Sequence, residues 1–203
     1  MIEYDHEPVR GLPGDLPEGE AILWQGAPDA QVFARTALYT RWVVGYFVLL
    51  TGVALVSGSL GGALATALSG AAAVGLLHLF ASLVARTTVY TITNHRVVLR
   101  IGVALNKCIN LPLSLIGSVG MREHGAGFGD IALRPSASHR LGYAMLWPHA
   151  RPLRFGTPEP MLRALPDAQA ACDILARACA KVVAVERTAA EPKASAQLKE
   201  AAA

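Results

Sequence analysis

The sequence lacks charge over one long stretch. From Trp42 to Ala85 there is no Asp, Glu, Lys or Arg, although charged residues make up 16% of the chain. A helix of that length would reach about 66 Å, roughly twice the hydrocarbon core of a bilayer. Small residues, Ser57 to Gly62, fall near its middle and suit a turn. We predict a two-helix transmembrane hairpin, with spans at about 41–59 and 63–85. The alternative is a helical hairpin buried in a soluble core.

Motifs of catalysis and metal binding are also missing. The chain has no nucleotide-binding loop, no Gly-x-Ser-x-Gly and no His-Glu-x-x-His. The glycine-rich segment 125–129 lies between predicted strands and favours a turn, flanked by Glu123 and Asp130 as surface acids. The cysteines, Cys108, Cys172 and Cys179, fit buried thiols in a reducing compartment. We therefore predict no catalytic residue, no metal site and no cofactor, and expect that the protein is not an enzyme.

Arginines flank the predicted hairpin and indicate its orientation. Arg35 and Arg41 precede the first span, Arg86 follows the second, and the connecting turn is uncharged. Residues 1–7 are acidic and have no apolar core, so no signal peptide is expected. The positive-inside rule then predicts a multi-pass protein of a bacterial inner membrane with both termini in the cytoplasm.

The rest of the chain divides into a lead, a β-rich domain and a tail. Residues 1–40 form an acidic N-terminal lead in which 21–24 could add a strand and 29–40 is an amphipathic approach to the membrane. The predicted domain covers 86–185, with an antiparallel barrel or sandwich closed by a helix at about 167–183. Residues 186–203 have no apolar stripe and are expected to be a disordered tail. The predicted strands are 87–93, 96–101, 104–111, 116–122, 130–134, 141–147 and 151–155.

Charge is distributed unevenly among these parts. Residues 1–41 sum to −4 (three basic, seven acidic), 86–154 to +7 (nine basic, two acidic) and 155–203 to zero (six of each). A basic domain tethered at an anionic leaflet would be attracted by about 1 kcal/mol per nearby Lys or Arg. The domain could bind membrane lipid, bind the acidic face of a membrane protein, or have an ordinary solvated surface. Nucleic acid is not an expected partner, because the basic residues are dispersed and aromatics are few.

Within the hairpin, His78 and the small residues invite specific hypotheses. His78 could ligate the magnesium of a chlorin pigment, or hydrogen-bond across the hairpin to Thr51, Ser57 or a backbone carbonyl. His95 and His149 lie next to predicted turns and are expected to be exposed. Faces rich in glycine and alanine let helices approach closely, within the hairpin, with a client's helices or with a second copy.

Two segments resemble a known class of membrane protein. Residues 88–98 (TVYTITNHRVV), followed by Gly102, resemble the strand–turn–strand signature of bacterial pleckstrin-homology-like (PH-like) membrane proteins, in which it follows a transmembrane hairpin. Residues 19–26 (GEAILWQG) resemble the lead of those proteins. The resemblance implies an α+β membrane protein: a transmembrane hairpin plus a PH-like domain of about seven strands capped by a C-terminal helix. Lipid-binding relatives carry a basic cluster at the first hairpin turn, where this chain has only His95 and Arg96.

Four further segments resemble a narrower family, the photosynthetic complex assembly proteins of purple bacteria. They are 7–13 (EPVRGLP), 110–112 (NLP), 146–152 (LWPHARP) and 158–164 (PEPMLRA), within a likeness that spans about 7–180. The resemblance implies an assembly factor of the intracytoplasmic membrane that binds reaction-centre and core antenna subunits and that could self-associate as a homo-oligomer. The residues expected to contact a partner or lipid are Arg96, Arg100, Arg134, Arg140, Arg151 and Arg154.

Overall fold

A computed structural model of the chain describes residues 10–136 and 142–182. The predicted tail, 186–203, and the start of the lead therefore lie outside the described residues. The helices and strands are β1 (Ile22–Gly26), α1 (Ala30–Thr36), α2 (Thr40–Val56), α3 (Leu60–Thr87), β2 (Val89–Thr93), β3 (Arg96–Ile101), β4 (Lys107–Pro112), β5 (Ile116–Gly125), β6 (Phe128–Pro135), α4 (Tyr143–Leu146), β7 (Met161–Leu165) and α5 (168–182).

The strands form two antiparallel sheets around one core. The first has the order β1-β2-β3-β4 and the second β5-β6-β7. Tyr90 and Leu99 of the first sheet, Leu133 and Leu162 of the second, and Leu175 of α5 are all buried in the same apolar cluster. Within the described ranges no ladder joins the two sheets. The mixed α+β fold with a C-terminal helix is thus confirmed, whereas the barrel is not closed.

The number of strands agrees with the prediction, but two of the seven predicted strands are wrong. Strand 141–147 was predicted, but the structure describes 142–147, and Tyr143–Leu146 in it is a helical turn. The second predicted strand, 151–155, is irregular. Pro148 and Pro152 have no N–H to donate to a ladder, which explains why this region leaves the sheet. The two strands outside that set are β1, which pairs with β2 and overlaps the segment 21–24 that could add a strand, and β7, which pairs with β6 and was not predicted.

Helix α1 joins the hairpin to the sheets. The Asp29 carboxylate caps α1 by accepting hydrogen bonds from the N–H groups of Gln31 and Val32, both at 2.9 Å. The Asp29 N–H donates to the Ala164 carbonyl of β7 at 2.8 Å. Phe33 is fully buried in a cluster that includes Ala81 of α3 and Ala164. Because α1 packs against both α3 and β7, the hairpin and the domain form one packed unit.

Helices α2 and α3 lie where the two spans are predicted. Helix α3 has 28 residues, its most apolar stretch of 18 residues has a mean hydropathy of 1.9, and it is long and apolar enough to cross a membrane. Helix α2 meets the same criterion only together with α1, from which it is bent by 61°. The two helices are joined by a hydrogen bond of 3.0 Å between the hydroxyls of Thr51 and Thr66. Their outer faces expose large apolar side chains such as Trp42, Val56 and Leu68.

Candidate functional site: a basic cleft beside an apolar hairpin

Three of the arginines predicted as contacts converge on one buried carboxylate. The Glu159 side chain is 3% exposed, and its oxygens lie 3.1 Å from Arg134 Nε, 2.8 Å from Arg151 Nη1 and 3.9 Å from Arg154 Nε. Burial raises the pKa of Glu159, but the hydrogen bonds from Arg151 and Arg134 outweigh burial, so that the pKa falls below its ordinary value. The positive charge at this point of the domain is therefore partly compensated from within.

The other three predicted arginines lie in different environments. Arg96 forms a two-pronged ion pair with Glu20 of the acidic lead, at 2.9 and 3.0 Å. Arg100 is only 5% exposed, in the middle of the first sheet. Arg140 lies outside the described residues. The structure thus distributes the predicted arginines over the domain, and their role as contacts stays a prediction.

A different set of basic residues shares one open cavity, which we call the basic cleft. It has a volume of about 560 Å³ and lies between α1, the second sheet and the segment 151–153. The polar and charged residues that line it are Arg35, Thr36, Tyr39, Arg122, His124, Asp130, Arg151 and Arg163. Of the five predicted contacts that the structure describes, Arg151 alone lines it.

Asp130 lies in the inner wall of the basic cleft. We expected a surface acid here, but Asp130 is 2% exposed on β6. Its Oδ1 accepts the Ala164 N–H at 2.8 Å, and its Oδ2 lies 2.9 Å from His124 Nε2 and 3.7 Å from Arg163 Nε. Neither of these two nitrogens makes a well-aligned hydrogen bond within the described part of the chain. One carboxylate therefore serves a backbone donor, an imidazole and a guanidinium, and leaves donor capacity at the cleft.

The outer walls of the basic cleft carry two arginines that have no acidic partner in the described part of the chain. Arg35 on α1 and Arg122 on β5 are both exposed, and neither has an ion pair or side-chain hydrogen bond among the described residues. Tyr39, which also lines the cleft, directly precedes the first residue of α2. The cleft therefore opens beside the start of the apolar hairpin.

Behind the cleft, His149 lies in a buried polar network. We expected it to be exposed, but its exposed fraction is 1%. Its Nδ1 is 2.7 Å from the Tyr90 hydroxyl, which also accepts the Arg163 N–H at 3.2 Å, and its Nε2 is 3.4 Å from the Thr88 hydroxyl. Burial, with a smaller contribution from the Arg163 charge, lowers the pKa of His149 to about 3. The imidazole is thus neutral and structural near pH 7, and the sequence around it shows no periodicity that would have revealed its burial.

His78 does not bond across the hairpin. Its Nδ1 donates to the Val74 carbonyl of its own helix at 2.9 Å, and its side chain lies on an exposed face of α3. Thr51, one of the partners considered for it, bonds to Thr66 instead.

An apolar depression, which we call the hairpin groove, runs along α2 and α3. Its volume is about 590 Å³. Gly70 packs against Phe47 inside the hairpin, whereas Gly52 in the groove has open space where a side chain would be. The lining residues are Val44, Phe47, Val48, Thr51, Gly52, Leu55, Ala67, Gly70, Ala71 and Val74.

Comparison with known proteins assigns the hairpin and the two-sheet domain to one family. The model of the bacterial PH domain matches residues 42–179, so that it includes the hairpin, and the chain belongs to this family. A Rhodobacter capsulatus protein is 42% identical over 206 residues, which cover 97% of this chain and 96% of that protein. It is described as an uncharacterized 23.7 kDa protein in the puhA 5′ region. No solved structure matches the chain.

Proposed function

We propose that this protein is a non-enzymatic assembly factor, of the PuhB type, for the photosynthetic reaction centre and its core light-harvesting complex. In this proposal α2 and α3 cross the inner (intracytoplasmic) membrane, and both termini are cytoplasmic. The hairpin meets the helices of nascent subunits, and the basic PH-like domain meets their cytoplasmic faces.

The observation that carries the proposal is the unfilled, small-residue groove on an otherwise lipid-like hairpin. Only 17% of the most apolar stretch of α3 is buried within the chain. In a bilayer such a face gains nothing from hydrophobic burial, and helices associate through close packing at small residues. The groove at Gly52, Ala67 and Ala71 offers a second helix that close approach.

The dimensions of α3 fit the proposed membrane placement. Its last turns, at Ala81 and Val84, are buried against Phe33 of α1. The part that precedes them, 60–80, would measure about 31 Å at 1.5 Å per residue, close to the hydrocarbon thickness of about 30 Å. A reporter fused at Gly61 should therefore lie on the periplasmic side, and a cytoplasmic reporter would contradict this topology.

Two similarities to other proteins support the reaction centre and its core light-harvesting complex as the proposed client. The Rhodobacter capsulatus relative is described by its position in the puhA 5′ region. The segment LWPHARP at 146–152 resembles the assembly proteins of purple bacteria.

Affinity capture from gently solubilised membranes of cells that make reaction centres tests the proposal. Mass spectrometry and pigment absorbance should show reaction-centre or core antenna subunits in the eluate. Gly52→Leu fills the groove and should reduce this recovery about ten-fold if the close helix packing is lost. Gly45→Leu is the matched control, because it also adds a side chain into open space on α2 but lies outside the groove. If neither class of subunit is recovered with the wild type, the proposal fails.

A second candidate function, a bacteriochlorophyll carrier, is favoured by one feature of His78. Because Nδ1 donates to the Val74 carbonyl, the other ring nitrogen is left as an acceptor on the exposed face of α3. Pigment that copurifies with the wild type and is absent from His78→Ala would support it. Protein free of pigment would exclude it.

A further inference from the structure

We propose that the basic cleft binds the phosphate group of an anionic membrane lipid. This inference rests on the membrane placement proposed for the hairpin, but not on any reaction-centre client. It concerns residues that are separate from the first hairpin turn of the sheet, where Arg96 is already occupied by Glu20.

The charges of the cleft favour an anion. Arg35 and Arg122 come from two different elements, and neither has an acidic partner among the described residues. The Arg163 side chain is 6% exposed, and its Nε makes no hydrogen bond within the described ranges. Asp130 is the only acid among the described lining residues, and it is already shared by the Ala164 N–H, His124 and Arg163. The buried Arg163 Nε and two exposed arginines lining the same cavity suit a phosphate, which accepts several charge-assisted hydrogen bonds.

The backbone of the cleft places exposed apolar side chains beside these charges. Leu153 lines the cleft with φ of +63° and is 84% exposed, and Tyr39 lines it with φ of +53° and is 49% exposed. A left-handed backbone costs a residue other than glycine roughly 1–2 kcal/mol. Both side chains are exposed, so that burial within the chain does not offset this cost. Contact with a molecule outside the protein would explain why both residues keep a left-handed backbone.

The position of the cleft identifies a lipid as the source of the phosphate. Tyr39 directly precedes α2, and the 61° bend between α1 and α2 lies at this point. Nearby in sequence to Leu153, Trp147 is 54% exposed and stacks on Phe80 of α3, with ring centroids 5.7 Å apart. Tryptophan and tyrosine are typical of the membrane–water interface. A lipid headgroup in the cleft would let its acyl chains cover Leu153, whereas a free phosphate would leave that side chain in water.

The volume of the cleft is also suitable. At about 560 Å³ it falls in the range of roughly 300–1,000 Å³ that is typical of small-molecule sites. It can hold a glycerophosphate headgroup but not a folded partner domain.

Lipid retention by the full chain tests the inference. The protein is transferred from neutral detergent into nanodiscs that contain phosphatidylcholine with or without phosphatidylglycerol, released, and examined by native mass spectrometry. We expect one retained phosphatidylglycerol per chain, and about ten-fold less in the double variant Arg35→Gln/Arg122→Gln, which removes two charge-assisted contacts. Arg177→Gln is the matched control, because Arg177 is exposed on α5 away from the cleft. Equal retention of the two lipids, or equal retention by the double variant and the control, would overturn the proposal.

A soluble probe separates the two sources of phosphate. Calorimetric titration with glycerol 3-phosphate should give much weaker binding than phosphatidylglycerol, and Leu153→Ser should weaken only lipid retention. Affinity for glycerol 3-phosphate equal to that for the lipid would refute the lipid assignment. Gly52→Leu should retain phosphatidylglycerol normally, so that a failed client capture and a failed lipid site are distinguishable.

Discussion

Mild acid should destabilise this protein through His149. The pKa of this imidazole is about 3 in the folded chain, against an ordinary value of 6.5. Between these two values the unfolded chain binds a proton that the folded chain rejects. The stabilisation is therefore complete above pH 6.5 and is lost progressively as the pH falls towards 3.

The size of the effect follows from the linkage between protonation and folding. Each pH unit inside this window costs about 1.4 kcal/mol, so that lowering the pH from 6.5 to 5 should remove about 2 kcal/mol of the free energy of unfolding. Glu20 and Glu159 do not interfere, because the pKa of each lies below its ordinary value of 4.5 in the folded chain.

Denaturant titrations of the full chain in neutral detergent, followed by tryptophan fluorescence at pH 7, 6 and 5, would measure this loss. His149→Gln should be less stable at pH 7 by about 1–2 kcal/mol, because its contacts with Tyr90 and Thr88 are disturbed. Its stability should nevertheless change little from pH 7 to 5, because the titrating group is gone. Parallel losses of stability in the wild type and the variant would refute the argument.

Two substitutions test other parts of the fold. Glu159→Gln should lower the free energy of unfolding at pH 7 by about 1–2 kcal/mol, because two half-exposed arginines lose their carboxylate. Since the folded pKa of Glu159 is depressed, this difference from the wild type should shrink as the pH falls below 4.5, in the same titrations. Gly70→Leu should lower the thermal midpoint in detergent, because an added Cβ would lie 2.7 Å from Phe47 Cβ, and overpacking costs about 1–3 kcal/mol. Gly75→Leu, which points into open space, should leave the midpoint unchanged, and equal midpoints for both variants would contradict the packing.

Local patterns in the sequence predicted much of the fold. The uncharged stretch from Trp42 to Ala85 revealed both long helices, and β-branched residues revealed β2 and β3. Strand β7 was missed because Arg163 stands in its middle, and a lone charge argues against a fully buried strand. Its burial depends on Asp130 and Pro148, which contact Arg163 from distant parts of the chain.

The candidate site was less predictable than the fold. Counting arginines identified a basic domain, but their partners depend on tertiary structure, as with Glu20, which is 76 residues from Arg96. Arg35 precedes the predicted domain and Arg163 lies in its C-terminal part, and neither was among the predicted contacts. They line one cleft only because α1 packs beside β7, a contact that no local pattern encodes.

The packing of α1 beside β7 also connects the basic cleft to the hairpin. Arg35 lies on α1 and Arg163 on β7, and the two elements are joined by the Asp29–Ala164 hydrogen bond and by Phe33. Phe33 simultaneously packs on Ala81 of α3. A phosphate held by both arginines would therefore bridge the same two elements and oppose any separation of the domain from the hairpin. In the proposed assembly role, lipid bound in the cleft would fix the angle at which the domain faces a subunit seated in the hairpin groove.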